Sequence, residues 1–255
     1  RRQKGRNLAA MPSRVMMTSF ASIIAVGTFL LMLPFSSRAG RLTPFLDALF
    51  TATSATCVTG LVVYDTYQYW SPFGQTVILC LIQLGGLGLL TFTAFFNLLL
   101  GRKIGLRGMQ VASESVSSDS LAELPGMLRL TVGLSLCIEA AGAVLLCCVF
   151  VPQYGGAEGA ALSVFLSISA FCNAGFDLLG REAPFASLTA YGNNPIVLGT
   201  IMALIILGGL GSTVWRDLLE LRPVRDPQKR RDRRLEVHTQ IVLIMTGVLI
   251  VAGAF

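Results

Sequence analysis

The chain has 255 residues, of which 53% are hydrophobic and only 13% are charged. Soluble domains have roughly a quarter of their residues charged, so this composition predicts a membrane protein and argues against a soluble enzyme or a nucleic-acid-binding domain. The 26 Gly and 15 Phe are typical of helices that pack closely within a bilayer.

Five apolar stretches approach the roughly 20 residues that a helix needs to cross a bilayer. They are residues 15–35, 73–100, 128–151, 196–221 and 237–255. The first stretch is too long for a cleaved signal peptide and lacks a cleavage site of small residues. We therefore predict an all-α, multi-pass membrane protein.

The basic residues predict the orientation of these helices. Seventeen of the 20 Lys and Arg lie in residues 1–14, 102–129 and 216–234, and only Arg38, Arg41 and Arg181 lie elsewhere. By the positive-inside rule the three rich segments and the N-terminus are cytoplasmic, so the connections after the first and third helices face outside. The net charge of +6 then reflects topology and is not a sign of nucleic-acid binding.

An internal repeat lies in these outward connections. FTATSATCVTG begins at Phe50 and FLSISAFCNAG at Phe165, and both follow the pattern Phe-x-x-x-Ser-Ala-x-Cys-x-x-Gly. LGGLG also occurs twice, at residues 84–88 and 207–211, each time on a helix that starts near a proline, Pro72 or Pro195. Such duplications are characteristic of membrane transport folds. We predict a unit of helix, short membrane-entering helix and helix, present twice.

The short helices have the chemistry of a cation site. A half-membrane helix that ends near Ala55 or Ala170 directs its negative C-terminal end into the membrane, toward a cation. The backbone that follows offers carbonyl oxygens in place of a hydration shell. These residues are Thr56, Cys57, Val58 and Thr59 in the first copy and Phe171, Cys172, Asn173 and Ala174 in the second. Gly60 and Gly175 permit a backbone conformation that a Cβ disfavours.

Four segments carry a family resemblance: TATSATCVTGL, IQLGGLGLLTF, SISAFCNAGFDL and ILGGLGSTVWRDL. From about Val15 to its end, the chain resembles the membrane subunit of the Trk/Ktr/HKT cation transporters, in particular the Ktr-type potassium-uptake subunit. The resemblance implies a potassium-channel-like fold of four helix–pore-loop–helix repeats with re-entrant half-helices. It implies one selectivity strand per repeat, here Cys57, Val58, Thr59 and Gly60, then Cys172, Asn173, Ala174 and Gly175. A Gly in this place goes with potassium selectivity in the family.

The resemblance also implies a division of the chain. Residues 1–14 form a cytoplasmic N-terminus, 15–100 the first repeat, 101–127 a cytoplasmic linker and 128–221 the second repeat. Residues 222–236 form a basic cytoplasmic loop, and 237–255 the first helix of a truncated third repeat. The chain departs from the family in having only about two of four repeats, and we expect it to be a fragment. Cys57 and Cys172 also replace the more usual hydroxyl or amide side chains.

The expected function is potassium uptake through a pore lined by backbone carbonyls, in a bacterial inner membrane. Alternatives are a sodium-conducting or cotransporting member of the same superfamily and a non-conducting fragment. An intramembrane enzyme is disfavoured because Glu139 is the one Glu well inside a span and the sole histidine, His238, lies at a helix start. We expect no cofactor beyond the transported K⁺. The resemblance implies a homodimer of membrane subunits on a cytoplasmic nucleotide-binding regulatory ring.

Several single residues remain open to two interpretations. Glu139 is either a functional intramembrane acid or a hydrogen-bonding partner of a neighbouring helix. Asp65 and Asp177 either gather cations at the outer mouth or are ordinary surface acids. We expect the LGGLG glycines to be packing surfaces and His238 to be structural. Four cysteines are expected to be small buried residues, namely Cys80, Cys137, Cys147 and Cys148.

Overall fold

The computed structural model describes residues 12–88, 124–181, 183–220 and 235–254. Within these ranges the chain is mostly helical, with one isolated β-bridge between Ser37 and Trp70, which confirms the predicted all-α class. The helices are α1 Pro12–Met32, α2 Phe45–Thr56, α3 Thr66–Tyr69, α4 Pro72–Gly86, α5 Leu124–Tyr154, α6 Gly156–Phe171, α7 Pro195–Gly209, α8 Ser212–Glu220 and α9 Val237–Ala254. Two 3-10 turns, Pro34–Ser36 and Thr189–Tyr191, precede α2 and α7.

The duplicated unit is visible in α4 and α7, which are both 15 residues long and both start with proline. Proline suits this position because the first N–H of a helix has no intrahelical partner. The preceding side chain caps each helix. Ser71 Oγ accepts from the Gly74 N–H at 3.2 Å, and Asn194 Oδ1 accepts from the Ile196 N–H at 3.1 Å. The two helices therefore begin by the same means.

Both LGGLG motifs end a helix. Gly88 has φ +77° and Gly211 has φ +83°, in the left-handed region where glycine is favoured over other residues. The single helix predicted over residues 196–221 is therefore wrong, because the chain breaks at Gly211 and starts again as α8. The helix predicted over 73–100 ends at Gly86 in the described part, and residues 89–100 lie outside it.

The short helices lie between the longer helices of their own unit. α2 packs against α1 and α4, and α6 packs against α5 and α7. Contacts between α4 and α6 join the two units. The shared core contains Trp70, Ile78, Phe150, Phe165 and Val197, each at most 2% exposed.

Helix length and surface fit an apolar solvent. Among the described residues, one helix is long and apolar enough to cross a membrane by itself, Leu128–Tyr154, and five shorter apolar helices accompany it. Large apolar side chains remain exposed, among them Phe29 at 65% and Ile244 at 65%. An apolar surface this extensive suits lipid better than water.

Candidate functional site

The short helices α2 and α6 end in the same hydrogen-bond pattern. After α2, the Thr59 N–H donates to the Ser54 carbonyl at 3.0 Å and the Val58 N–H to the Ala55 carbonyl at 3.4 Å. After α6, the N–H groups of Ala174 and Asn173 donate to Ser169 and Ala170 at 2.8 and 3.0 Å. This is the Schellman arrangement, which requires a left-handed residue after the helix.

The backbone angles after the two helices agree closely. Val58 has φ +56° and Asn173 +57°, while Gly60 has φ +73° and Gly175 +74°. Asn adopts the left-handed conformation more readily than other side chains, but a β-branched residue such as Val is an outlier there. Holding such a residue costs on the order of 1–3 kcal/mol and needs a surrounding structure that enforces it. Val58 meets this condition because it packs against the core.

The carbonyl oxygens of the two segments that follow the short helices have no hydrogen-bond donor among the described residues. We name residues 56–60 the first carbonyl segment and residues 172–175 the second. No donor in the described part of the chain reaches any carbonyl oxygen of either segment. Unpaired backbone carbonyls are costly when they are buried. Seven of the nine residues are half-buried or exposed, whereas Thr56 and Ala174 are buried, so water or a cation can occupy the free oxygens where the segments are open.

The two carbonyl segments lie side by side. A Cβ on Gly60 would stand 2.7 Å from the Ala174 carbonyl oxygen and 3.3 Å from the Gly175 Cα. Real side chains do not fit at 2.7 Å from a backbone oxygen, so only glycine allows this approach. The structure thus brings Gly60 against Ala174 and Gly175. The other candidates that the sequence selected lie along the same two segments: Thr56, Cys57, Val58, Thr59, Cys172 and Asn173.

Glycines of the LGGLG motifs support the ends of the short helices. A Cβ on Gly85 would overlap the Thr56 carbonyl oxygen, and a Cβ on Gly208 would overlap that of Phe171. Gly86 packs in the same way against Cys172. We call Gly85, Gly86 and Gly208 the glycine platform. The expectation that the LGGLG glycines are packing surfaces is confirmed for these three and is wrong for Gly209 and Gly211, whose Cβ positions have no described atom within 4 Å.

Both interpretations offered for Asp65 are wrong, because its side chain is buried and structural. Its carboxylate accepts from the N–H groups of Tyr67 and Gln68, each at 2.9 Å. It also accepts from the Phe185 N–H at 2.8 Å, from the second unit. Asp65 therefore caps α3 and ties the two outer connections together. An Asp directly before Thr66 is a helix-cap signal that identifies this role in sequence.

Asp177 has a more local role. Its Oδ1 accepts from the Leu179 N–H at 2.9 Å, and its Oδ2 accepts from the Ser187 hydroxyl at 3.0 Å. The residue is half-buried. Its carboxylate organises the connection that follows the second carbonyl segment.

Sequence analysis missed a hydrogen bond between Tyr64 and Asp47. The Tyr64 hydroxyl donates to Asp47 Oδ2 at 2.6 Å. This bond, assisted by partial burial, raises the pKa of Tyr64 to about 12. It connects the chain after the first carbonyl segment to the first turn of α2. The residues are 17 positions apart, and no local spacing rule pairs them.

All six cysteines are free thiols. Cys57 and Cys172 lie in the carbonyl segments. The expectation that the other four are buried is wrong, since Cys80, Cys137 and Cys148 are exposed and Cys147 is half-buried. They lie on apolar helix surfaces, where a thiol behaves as a small apolar group.

Two duplicated helical units, packed through paired carbonyl segments, define this chain as a helical membrane protein with internal repeats. Comparison with known proteins then identifies it more closely. The chain belongs to the TrkH family, whose model, described as a cation transport protein, matches residues 3–252.

Three relatives illustrate the similarity. The chain is 39% identical over 245 residues to the potassium/sodium uptake protein NtpJ of Enterococcus hirae, covering 95% of the chain and 51% of that protein. It is 39% identical to the Ktr system potassium uptake protein B of Bacillus subtilis and 36% to that of Vibrio alginolyticus. These alignments cover 93% and 94% of the chain and 50% of each relative. The chain spans about half the length of the curated relatives it matches.

Proposed function

We propose that this chain belongs to a potassium uptake protein of a bacterial cell membrane, and that its two carbonyl segments form two walls of the ion pathway. The observation that carries the proposal is the set of nine neighbouring backbone carbonyls without a donor in the described chain. Rings of carbonyl oxygens replace the hydration shell of K⁺ in selective pores. The names of the Bacillus and Vibrio relatives, potassium uptake proteins, support potassium as the ion.

The short helices supply the electrostatics of this pathway. α2 and α6 act as re-entrant half-helices whose C-terminal ends meet at the carbonyl segments. Each helix end carries roughly half a negative charge, which attracts a cation without a carboxylate. The membrane potential then drives K⁺ inward with about 2.3 kcal/mol per 100 mV. In this proposal the protein is a transporter and not an enzyme. The chain needs no cofactor beyond the transported ion.

Two segments cannot surround an ion, so the proposal includes two further segments of the same kind. Relatives of about twice this length support them. In this arrangement residues 15–100 and 128–221 are the first two repeats, and α9 begins a third. The N-terminus and the basic residues 101–127 and 222–236 are cytoplasmic, while the carbonyl segments lie toward the outside. These basic segments fall wholly or largely outside the described residues.

A second candidate is a pathway that also carries sodium. The Enterococcus hirae relative is named as a potassium/sodium uptake protein, which favours this alternative. Gly60 and Gly175 favour potassium, since in the family that the chain resembles a Gly at this place goes with potassium selectivity. Uptake of K⁺ measured with and without external Na⁺ separates the two. A requirement for Na⁺ favours cotransport.

The relatives named as parts of a Ktr system support a membrane component of a multi-subunit uptake system. We include a second copy of the membrane subunit and a cytoplasmic nucleotide-binding regulatory ring. Purification of the complete gene product from its own membrane, followed by native mass measurement, tests both. A monomer without associated subunits would exclude this part of the proposal.

The substitution Gly60→Ser tests the pathway. A Cβ there meets the Ala174 carbonyl oxygen, and the residue must also keep φ +73°. A left-handed conformation costs a non-Gly residue about 1–2 kcal/mol, so we expect the K⁺ preference over Na⁺ to fall by about tenfold. The measurement is relative uptake by the complete gene product in a bacterium that lacks other K⁺ uptake.

Gly40→Ser is the matched control. Gly40 also has a positive φ, +65°, but no atom of the described residues lies within 4 Å of its Cβ position. The Gly40→Ser variant therefore shows how the loss of a left-handed glycine outside the site affects the ion preference. Unchanged ion preference in Gly60→Ser, or an equal loss in both variants, would exclude the assignment.

A further inference from the structure

The buried acid Glu139 lies outside the carbonyl segments but contacts the helix that supports them. It belongs to α5 and is 4% exposed. Gln83 of α4 donates its side-chain amide to both carboxyl oxygens, each at 3.1 Å. The Glu139 backbone carbonyl accepts from the Ser167 hydroxyl of α6 at 2.6 Å. One residue thus connects three helices of the two units.

The amide partner stands next to the glycine platform. Gln83 precedes Gly85 and Gly86 by two and three residues on α4. Gly86 packs against Cys172 of the second carbonyl segment, and Gly85 packs against Thr56 of the first. A shift of Gln83 therefore moves the surface on which both segments rest.

Hydrogen bonding around this pair is incomplete if Glu139 is ionised. Gln83 Oε1 is buried and has no donor in the described part of the chain. A carboxylate only accepts hydrogen bonds, whereas a carboxylic acid also donates one. The Gln83 amide oxygen therefore lacks a hydrogen-bond donor, and the O–H group of a protonated Glu139 is such a donor.

The charges around Glu139 also favour its protonated, neutral state. No Arg, Lys or His of the described ranges forms an ion pair with Glu139. The titratable side chain on the neighbouring segment is the Cys172 thiol, which supplies no positive charge. An uncompensated charge within a membrane is expensive. A neutral acid avoids that cost and completes the amide's hydrogen bonds.

We propose that Glu139 is a neutral carboxylic acid that forms a two-bond pair with Gln83, and that this pair positions the carbonyl segments. One carboxyl oxygen accepts from the amide N–H. The acid O–H donates to the amide oxygen after rotation about the last side-chain bond of Gln83, a torsion with a broad minimum. The positioning role rests on the proposed function, while the protonation state does not.

Substitutions of Glu139 test the pair. Glu139→Gln keeps one donor and one acceptor, so an amide–amide pair replaces the acid–amide pair. We expect it to retain the K⁺ preference over Na⁺ within about twofold, whereas Glu139→Leu lowers that preference by about tenfold because the Gln83 amide loses its partner. We expect Gln83→Leu to lower the K⁺ preference over Na⁺ by as much as Glu139→Leu does. The exchange Gln83→Glu with Glu139→Gln is also expected to retain the preference, because the acid–amide pair forms with its two members exchanged. If an ionised Glu139 acts on the cation instead, Glu139→Gln loses as much as Glu139→Leu, which overturns the proposal.

An infrared measurement tests the protonation state without reference to transport. The difference spectrum between the complete gene product and its Glu139→Gln variant, at neutral pH, is expected to show the carbonyl band of a protonated carboxyl group. A carboxylate band in its place overturns the proposal even if Gly60→Ser behaves as expected. A protonated band combined with unchanged ion preference in Glu139→Leu leaves the pair in place and overturns its positioning role.

Discussion

The two repeats share a backbone path while their side chains differ. After the short helix, the left-handed residue is Val58 in the first repeat and Asn173 in the second, with φ +56° and +57°. The next N–H, from Thr59 or Ala174, donates to a Ser carbonyl in both. The two repeats have different side chains at these positions but the same backbone conformation. This indicates that the duplicated feature is the position of the carbonyl oxygens. The side chains follow local packing.

The surroundings of the two repeats differ as well. Gly86 packs against Cys172 of the second repeat, but no described atom lies within 4 Å of the Cβ position of its counterpart, Gly209. Beside the second carbonyl segment lies a cavity of about 230 Å³ lined in part by Ile201 and Ile205. The two repeats are therefore in close contact at Gly86, whereas a cavity of about 400 Å³ lined by residues of both repeats, among them Pro72 and Leu162, lies elsewhere between them.

The largest expected effect tests whether the glycine platform is equivalent in both repeats. A Cβ on Gly208 overlaps the backbone carbonyl of Phe171, which cannot rotate away. We expect Gly208→Ala to destabilise the protein by about 1–3 kcal/mol, as overpacking does, and Gly85→Ala to match it. Thermal unfolding of the purified complete gene product measures this.

Gly199→Ala is the control for that experiment. Gly199 lies on the same helix as Gly208, and within the described part of the chain nothing lies within 4 Å of its Cβ position. Ala is favoured over Gly in a helix by about 0.5–1 kcal/mol, so this variant should be neutral or slightly stabilised. Equal effects at Gly199 and Gly208 would contradict a specific contact between platform and short helix.

A smaller effect tests the side-chain difference between the repeats. Asn173→Val puts a β-branched residue into the left-handed region, which we expect to cost about 1 kcal/mol. Val58→Asn should lose little or gain stability, because Asn accepts φ +56° more readily. Denaturant unfolding of both variants checks this. Equal destabilisation of both variants would mean that local packing outweighs backbone conformation.

The smallest effect concerns a contact present in the first repeat only. The hydrogen bond to Asp47 raises the pKa of Tyr64 from 10.0 to about 12. Its contribution to stability is therefore complete below pH 10 and is lost as the pH rises through about 12. The counterpart position holds Leu179, which has no hydroxyl. We expect Tyr64→Phe to abolish this pH dependence, measured as the difference in unfolding free energy between wild type and variant from neutral to alkaline pH. A parallel pH dependence in both proteins would exclude Tyr64 as its source.

Sequence patterns predicted the parts of this structure that depend on local chemistry. The repeated Cys-x-x-Gly motif indicated where both short helices end, and Gly60 and Gly175 indicated a backbone that excludes a Cβ. Gly211 was missed as a helix break because the residues after it continue an apolar pattern, and a left-handed angle leaves no periodic signal. LGGLG predicted close packing without revealing that its partners are the Thr56 and Phe171 carbonyls.

Long-range hydrogen bonds were the least predictable features. Asp65 pairs with Phe185 across 120 positions, and Glu139 with Gln83 across 56. Such pairs depend on how helices of separate units pack, which a single sequence does not encode in any spacing. Whether a backbone carbonyl is free depends on the positions of the hydrogen-bond donors around it, which the sequence alone does not give.

The central claim is that backbone carbonyls of the two segments bind the transported cation. Crystals of the complete gene product grown with Rb⁺, which scatters anomalously and replaces K⁺, test it directly. We expect an anomalous peak bounded by carbonyl oxygens of residues 56–60 and 172–175. A peak held by side-chain carboxylates elsewhere, with the carbonyl segments occupied by water or by protein donors, would contradict the claim.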